Sequence, residues 1–193
     1  MIDRVHALKL LDKYVSTSWL RLHMIESEAI MKSLAKYFGE NEQEWGLAGL
    51  LHDLDFDYVQ KDPLRHGVEI DNIFKIEGIQ VGEDIPESVY HAIKAHCEGN
   101  PNILQERESK LDYALSSAET ISGFLVACAL VQPDKRIKSV NVDSVMKKFK
   151  KKDFAKGVDR QLIYDIEKTG MSLDEFVKIS LDALCSISED IGL

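Results

Sequence analysis

An all-α chain, a helical bundle with a C-terminal helical extension, is predicted by three observations. Apolar residues recur at three-to-four spacing through most of the length. The breaks between those runs carry helix punctuation: glycines at 39, 78 and 170 where helices stop, Pro63 and Pro86 where they start, and Asn41, Asp159 and Ser172 as caps. No stretch alternates apolar and polar residues as a half-buried strand does. With 193 residues, 45% hydrophobic and 30% charged, the chain is long enough to bury a core and is read as one domain over 1–193.

Each element follows from its own residues. Val5, Leu8, Leu11 and Val15 mark a helix over 3–15, and Ser16-Thr17-Ser18 breaks it. A second helix runs from Trp19 to Phe38, with Leu20, Ile25, Ile30, Leu34 and Phe38 on its apolar face and Gly39 at its end. Asn41 with Glu44 caps the next helix, which ends at His52-Asp53. Lys61-Asp62-Pro63 is a turn, and a helix from Leu64 to Glu77 is expected after it. Pro86 starts another, carrying Val89, His91, Ile93 and His96, which fades at Gly99-Asn100-Pro101. Ser109 to Val131 is the longest helical run, and Pro133 closes the core. The tail over 135–193 is helical too, with a basic run at 147–152, a helix capped by Asp159 that stops at Gly170, and a last helix opened by Ser172 and Glu175.

Composition removes several function classes. A net charge of −9 disfavours nucleic acid as a partner but leaves room for a small anionic substrate in a locally positive or metal-bearing pocket. Cys97, Cys128 and Cys185 are far apart and odd in number, which suits free thiols in a reducing compartment. The first residues lack a basic-then-apolar leader pattern, so a cytoplasmic location is expected. The apolar run from Tyr113 to Val131 carries Glu119 and is read as a buried helix, so no membrane partner is expected. There is no Gly-rich phosphate loop, dinucleotide fingerprint or serine-nucleophile motif.

The chemistry concentrates in residues 46–57, Gly-Leu-Ala-Gly-Leu-Leu-His-Asp-Leu-Asp-Phe-Asp. A neutral imidazole beside a carboxylate supplies two ligands for a divalent metal. An isolated His-Asp pair is commonly an exposed helix end. Here Gly46 and Gly49 permit close helix approach and Leu50 and Leu51 have core character, so His52-Asp53 sits where a buried helix surfaces. Asp53, Asp55 and Asp57 alternate like the start of an EF-hand loop, but Tyr58 and Leu64 stand where that loop needs Gly and Glu. His91 and His96 are five apart, about 140° around a helix, so they cannot both face one point squarely.

The stretch Gly-Leu-Leu-His-Asp-Leu-Asp resembles the signature of the HD superfamily, helical metal-dependent phosphohydrolases whose ligands run His, then His-Asp, then a distant Asp. The chain looks like a small prokaryotic, HDIG-like hydrolase subgroup, with the matching pattern over about 18–125 and the extension beyond it. The resemblance implies His23, His52, Asp53 and Glu119 as ligands of a divalent metal ion (Mn, Co, Fe, Ni, Zn or Mg), with Glu119 where most of the superfamily has Asp. It points to hydrolysis of a small phosphorylated molecule, a nucleotide foremost, through a metal-activated water. Asp53, Asp55 and Asp57 are the catalytic candidates, and Lys61, Arg65, His66, His91 and His96 the substrate-binding ones. Where two-metal relatives carry a His-His pair this chain has His96-Cys97, which argues against a second metal. Where HD nucleotidases carry an acid three residues after the Asp it has Phe56. The alternative is a non-catalytic HD-like module that binds metal or nucleotide for regulation.

Overall fold

Asp3 opens the first helix: its carboxylate accepts the His6 amide at 2.8 Å, and α1 runs Arg4–Tyr14. This computed structural model describes residues 1–193 and contains helices and turns, with one isolated bridge between Val81 and Ile85 and no strand. α2 (Ser18–Phe38) ends where Gly39 takes the left-handed conformation, φ 72°. Asn41 caps α3 (Glu42–Leu51) by accepting the Gln43 and Glu44 amides. α3 packs chiefly on α2. A Cβ at Gly49 would lie 2.7 Å from the Ser27 carbonyl oxygen, so glycine is what lets the two backbones touch. Gly46 differs, because a Cβ there meets only the flexible Lys32 side chain. Arg4 donates twice to the buried Glu28, at 2.7 and 2.9 Å, and ties α1 to α2.

The helix expected over 64–77 begins later, as α4 (Ile70–Glu77). Two local features stop it from starting at Leu64. Asp62 takes the Leu64 amide at 3.0 Å, and Gly67 sits at φ 76°. A Cβ at Gly67 would fall 2.8 Å from Cys97 Sγ, so the chain folds down onto the segment carrying Cys97. Residues 52–69 are therefore a run of turns, and this irregular path brings His66 back toward His52.

α5 (Glu87–Ala95) and α6 (Lys110–Leu130) complete the frame of the centre. Ser109 and Asp112 form a reciprocal capping box at the start of α6. By length and composition α6 is apolar enough to cross a membrane, but 67% of its apolar window is buried in the protein. The extension supplies α7 (Val142–Phe149), α8 (Arg160–Tyr164), α9 (Leu173–Ser186) and α10 (Ser188–Ile191), with 3-10 turns at Ile137–Ser139 and Asp165–Thr169. The helix expected from Asp159 to Gly170 is thus split into α8 and a 3-10 turn. Val145, Phe149, Ile163, Phe176 and Leu184 from the extension join the same core as α2 and α6.

Candidate metal centre

Four imidazoles gather around one carboxylate. His23 comes from α2, His52 from the C-terminal cap of α3, His66 from the turns after it, and His96 from the C-terminal cap of α5. Asp53 stands between them. Its Oδ2 lies 3.4 Å from His52 Nε2 and 3.7 Å from His23 Nε2. Its Oδ1 lies 3.1 Å from His66 Nε2 and 3.4 Å from His96 Nε2. Glu119 on α6 reaches the first side, with Oε2 at 4.0 Å from His23 Nε2. Cys97 reaches the second, with Sγ at 3.3 Å from His96 Nε2.

Every ring has its other nitrogen occupied. His52 Nδ1 donates to the Gly49 carbonyl at 2.9 Å, and His96 Nδ1 to the Ile93 carbonyl at 2.5 Å. His66 Nδ1 donates to Asp55 at 2.8 Å. Ser122 gives its hydroxyl proton to the Glu119 carbonyl at 3.0 Å, so it accepts from His23 Nδ1 at 2.9 Å. A neutral ring with its proton on Nδ1 leaves Nε2 as a bare lone pair, and these partners thereby select the tautomer that binds metal. The Nε2 atoms face each other in two pairs: His23 and His52 at 3.2 Å, His66 and His96 at 3.2 Å. Two facing lone pairs repel, and a cation between them, a proton or a metal ion, removes the repulsion.

The donor set fits that cation. Two nitrogen or oxygen atoms each about 2.1 Å from one ion lie no more than about 4.2 Å apart. The distances from Asp53 to the four Nε2 atoms meet that bound, while Glu119 meets it only toward His23 and Cys97 toward His96. His23, His52 and Asp53 form one group suited to a metal ion, and His66, His96 and Cys97 a second.

Charge is distributed unevenly across the centre. Burial opposes ionisation of Asp53, but His52, His66 and His96 outweigh it and hold its carboxyl well below the usual range. Burial and the neighbouring His52 lower His23 to about 4. On the other side burial is outweighed by Asp53, Asp55 and Cys97, which push His66 up to about 12. Burial also opposes the Cys97 thiolate, yet His96 and His66 bring it down to about 6. Burial raises Glu119. These shifts favour positive charge on the Oδ1 side, which a proton or a metal ion can supply.

Several assignments made from sequence change. His66 and His96, expected at the substrate, stand among the metal-suited donors because the turn at Gly67 draws His66 inward. His91 is elsewhere: its Nδ1 pairs with Asp112 at 3.2 Å and its Nε2 with Glu108 at 3.6 Å. Asp55, expected to handle protons at the reacting centre, is fully buried and orients His66. Asp57 is turned away, accepting the Ser16 and Thr17 amides at 2.9 and 2.8 Å and both hydroxyls. Arg65 is held by Glu69 at 3.0 Å. Lys61 lies over the Trp19 ring, 5.5 Å from its centroid. Sequence reasoning did not foresee Cys97 or Ser122. The adjacency of Cys97 to His96 was the available signal for the first, and nothing marked the second.

A family model described as HD domain matches residues 21–121, just over half of the chain and all seven donors from His23 to Glu119. No curated protein and no solved structure matches the chain significantly.

Proposed function

The chain belongs to the HD domain family of metal-dependent phosphohydrolases, and from that premise we propose that it hydrolyses a small phosphorylated molecule, a nucleotide foremost, at a centre where the two groups of donors around Asp53 would each hold a divalent cation. The observation that carries this reading is the pairing of Nε2 atoms, His23 with His52 and His66 with His96, on opposite oxygens of one carboxylate. His23, His52, Asp53 and Glu119 would hold one ion; His66, His96, Asp53 and Cys97 the other. Imidazole and thiolate donors suit Zn, Fe, Co or Ni better than Mg. A bound divalent ion supplies an activated water at neutral pH and charge to polarise a phosphoryl group.

The chain's own groups do the rest. Ser122, Gly49, Asp55 and the Ile93 carbonyl keep the four rings in the metal-binding tautomer. Glu119, raised by burial, is the outermost donor on the Oδ2 side. Trp19 is 56% exposed one turn before His23 on α2, and Phe56 lies between it and His66, with ring centroids 6.5 and 5.0 Å away respectively. That exposed ring, with the Lys61 ammonium over it, supports a substrate carrying both a flat base and a phosphate.

Glu119 favours a second reading. It stands where most of the superfamily has Asp and lies 4.0 Å from His23, so the chain could hold metal for regulation without turnover. Elemental analysis and a nucleotide panel decide between them. Stoichiometric transition metal with phosphate release from at least one nucleotide supports hydrolysis. Metal without turnover of any panel member supports the regulatory module, and absence of metal after growth in metal-supplemented medium contradicts both.

A further inference from the structure

The lysine run of the extension takes no part in the centre around Asp53. Between residues 147 and 160 stand Lys147, Lys148, Lys150, Lys151, Lys152, Lys156 and Arg160 against only Asp153 and Asp159, in a chain whose net charge is −9. Lys147 and Lys148 occupy the last turn of α7, where cations complement the helix C-terminus. That role does not extend to the next lysines. Lys150 and Lys152 have no acidic partner, and Lys156 meets only the exposed Asp153, at 3.4 Å. Lys150, Lys152, Lys156 and Arg160 line one cleft of about 400 Å³ with Phe149, Val158 and Tyr164, and no carboxylate lines it.

The cleft is built rather than incidental. Ala155 holds φ 45°, a strained conformation for a residue with a Cβ. Arg160 fixes the loop around it: Nη1 donates to the Ala155 and Val158 carbonyls, each at 2.6 Å, and Nη2 to the Phe154 carbonyl. The same guanidinium lies 5.0 Å from the Phe124 ring centroid, on the helix that carries Glu119. The loop bearing the lysines is thus anchored before any ligand arrives. Tyr164 is 41% exposed beside it and meets Phe149 edge-on, with ring centroids 5.2 Å apart.

We propose that this cleft binds a nucleoside polyphosphate, with the phosphates against Lys150, Lys152 and Lys156 and the base against Tyr164. Its size is that of a small-molecule site, and like charges with no internal acid attract an anion of high charge density. An extended nucleic-acid chain fits less well. The adjoining cleft along the run also carries an excess of lysines, Lys147, Lys148 and Lys151, but an acid, Asp143, stands among them, whereas none lines the first cleft.

The test is calorimetric titration of the purified protein with ATP in the presence of EDTA, which keeps the Asp53 centre free of metal. Saturable binding is expected. The triple substitution Lys150→Ala, Lys152→Ala and Lys156→Ala should weaken it on the order of tenfold or more, with the thermal midpoint unchanged because all three side chains are exposed. Tyr164→Ala should weaken ATP several-fold and leave inorganic tripolyphosphate unaffected. His52→Ala should leave ATP affinity unaltered, which separates this cleft from the centre. Unchanged ATP affinity in the triple variant would overturn the proposal. So would tripolyphosphate binding as tightly as ATP, or a single-stranded oligonucleotide binding more tightly than ATP with the same dependence on the lysines.

Discussion

Asp53 divides its two oxygens between two pairs of histidines, and the residues behind those histidines decide whether the centre can work. Ser122 is the clearest case. It is fully buried, gives its proton to the Glu119 carbonyl and accepts from His23 Nδ1. Ser122→Ala removes the acceptor, frees the His23 ring to turn or change tautomer, and should lower metal affinity on the Oδ2 side about 10- to 100-fold. Competition with a chelator measures this, and the far-ultraviolet circular dichroism should stay unchanged because a serine-to-alanine change suits helix. His52-Asp53 was legible in the sequence because the two donors are adjacent and follow an apolar, glycine-bearing helix. His66 was not assigned to the centre, because its inward position depends on Gly67 leaving the helical region and on a close approach to Cys97 that no local pattern announces. Cys97 was legible only as a departure from a His-His pair, and its Sγ still faces His96.

The elements hold these residues in place through two contacts that can be tested separately. Gly49 and Gly46 look equivalent in the sequence, yet only Gly49 meets backbone on α2. Gly49→Ala should destabilise the protein by about 1–3 kcal/mol, since neither backbone can yield without shifting the helix pair. Gly46→Ala should cost less than Gly49→Ala, because its Cβ meets a side chain, Lys32, that can shift, and alanine favours helix. Denaturant midpoints of the two variants give the comparison, and equal effects would mean that the α2–α3 spacing is not set at Gly49. The second contact is Asp57, which caps the start of α2 from across the chain. Burial opposes its ionisation, but the bonds from Thr17 and Ser16 outweigh it and depress its pKa from 3.8. A depressed folded pKa contributes stability that is present above the unfolded value and lost as pH falls through the folded one. Asp57→Ala should therefore cost about 1 kcal/mol at neutral pH and almost nothing well below pH 3.8, with metal content unaltered. The all-α class and most helix boundaries were readable from spacing and caps. The late start of α4 and the division of the Asp159–Gly170 helix were not, because side-chain capture of an amide at Leu64 and the packing of short segments depend on tertiary contacts.

At the scale of the molecule, helices distant in sequence are brought together so that α2, α3, α5 and α6, with the turns between α3 and α4, each contribute to one small volume. His23 and Glu119 are nearly a hundred residues apart and approach to 4.0 Å, while the extension packs its apolar side into the same core and leaves its lysines outward. Asp53 is the one side chain that touches both pairs of histidines, so its loss would weaken metal binding on both sides, whereas loss of one histidine would weaken one side. The most direct measurement is metal stoichiometry by elemental analysis of wild type and Asp53→Asn, with circular dichroism to show that both are folded. Wild type should carry about two transition-metal ions per chain, His66→Ala should keep about half of that content, and Asp53→Asn should lose nearly all of it. A folded Asp53→Asn protein that retains the wild-type metal content would contradict a centre built around Asp53.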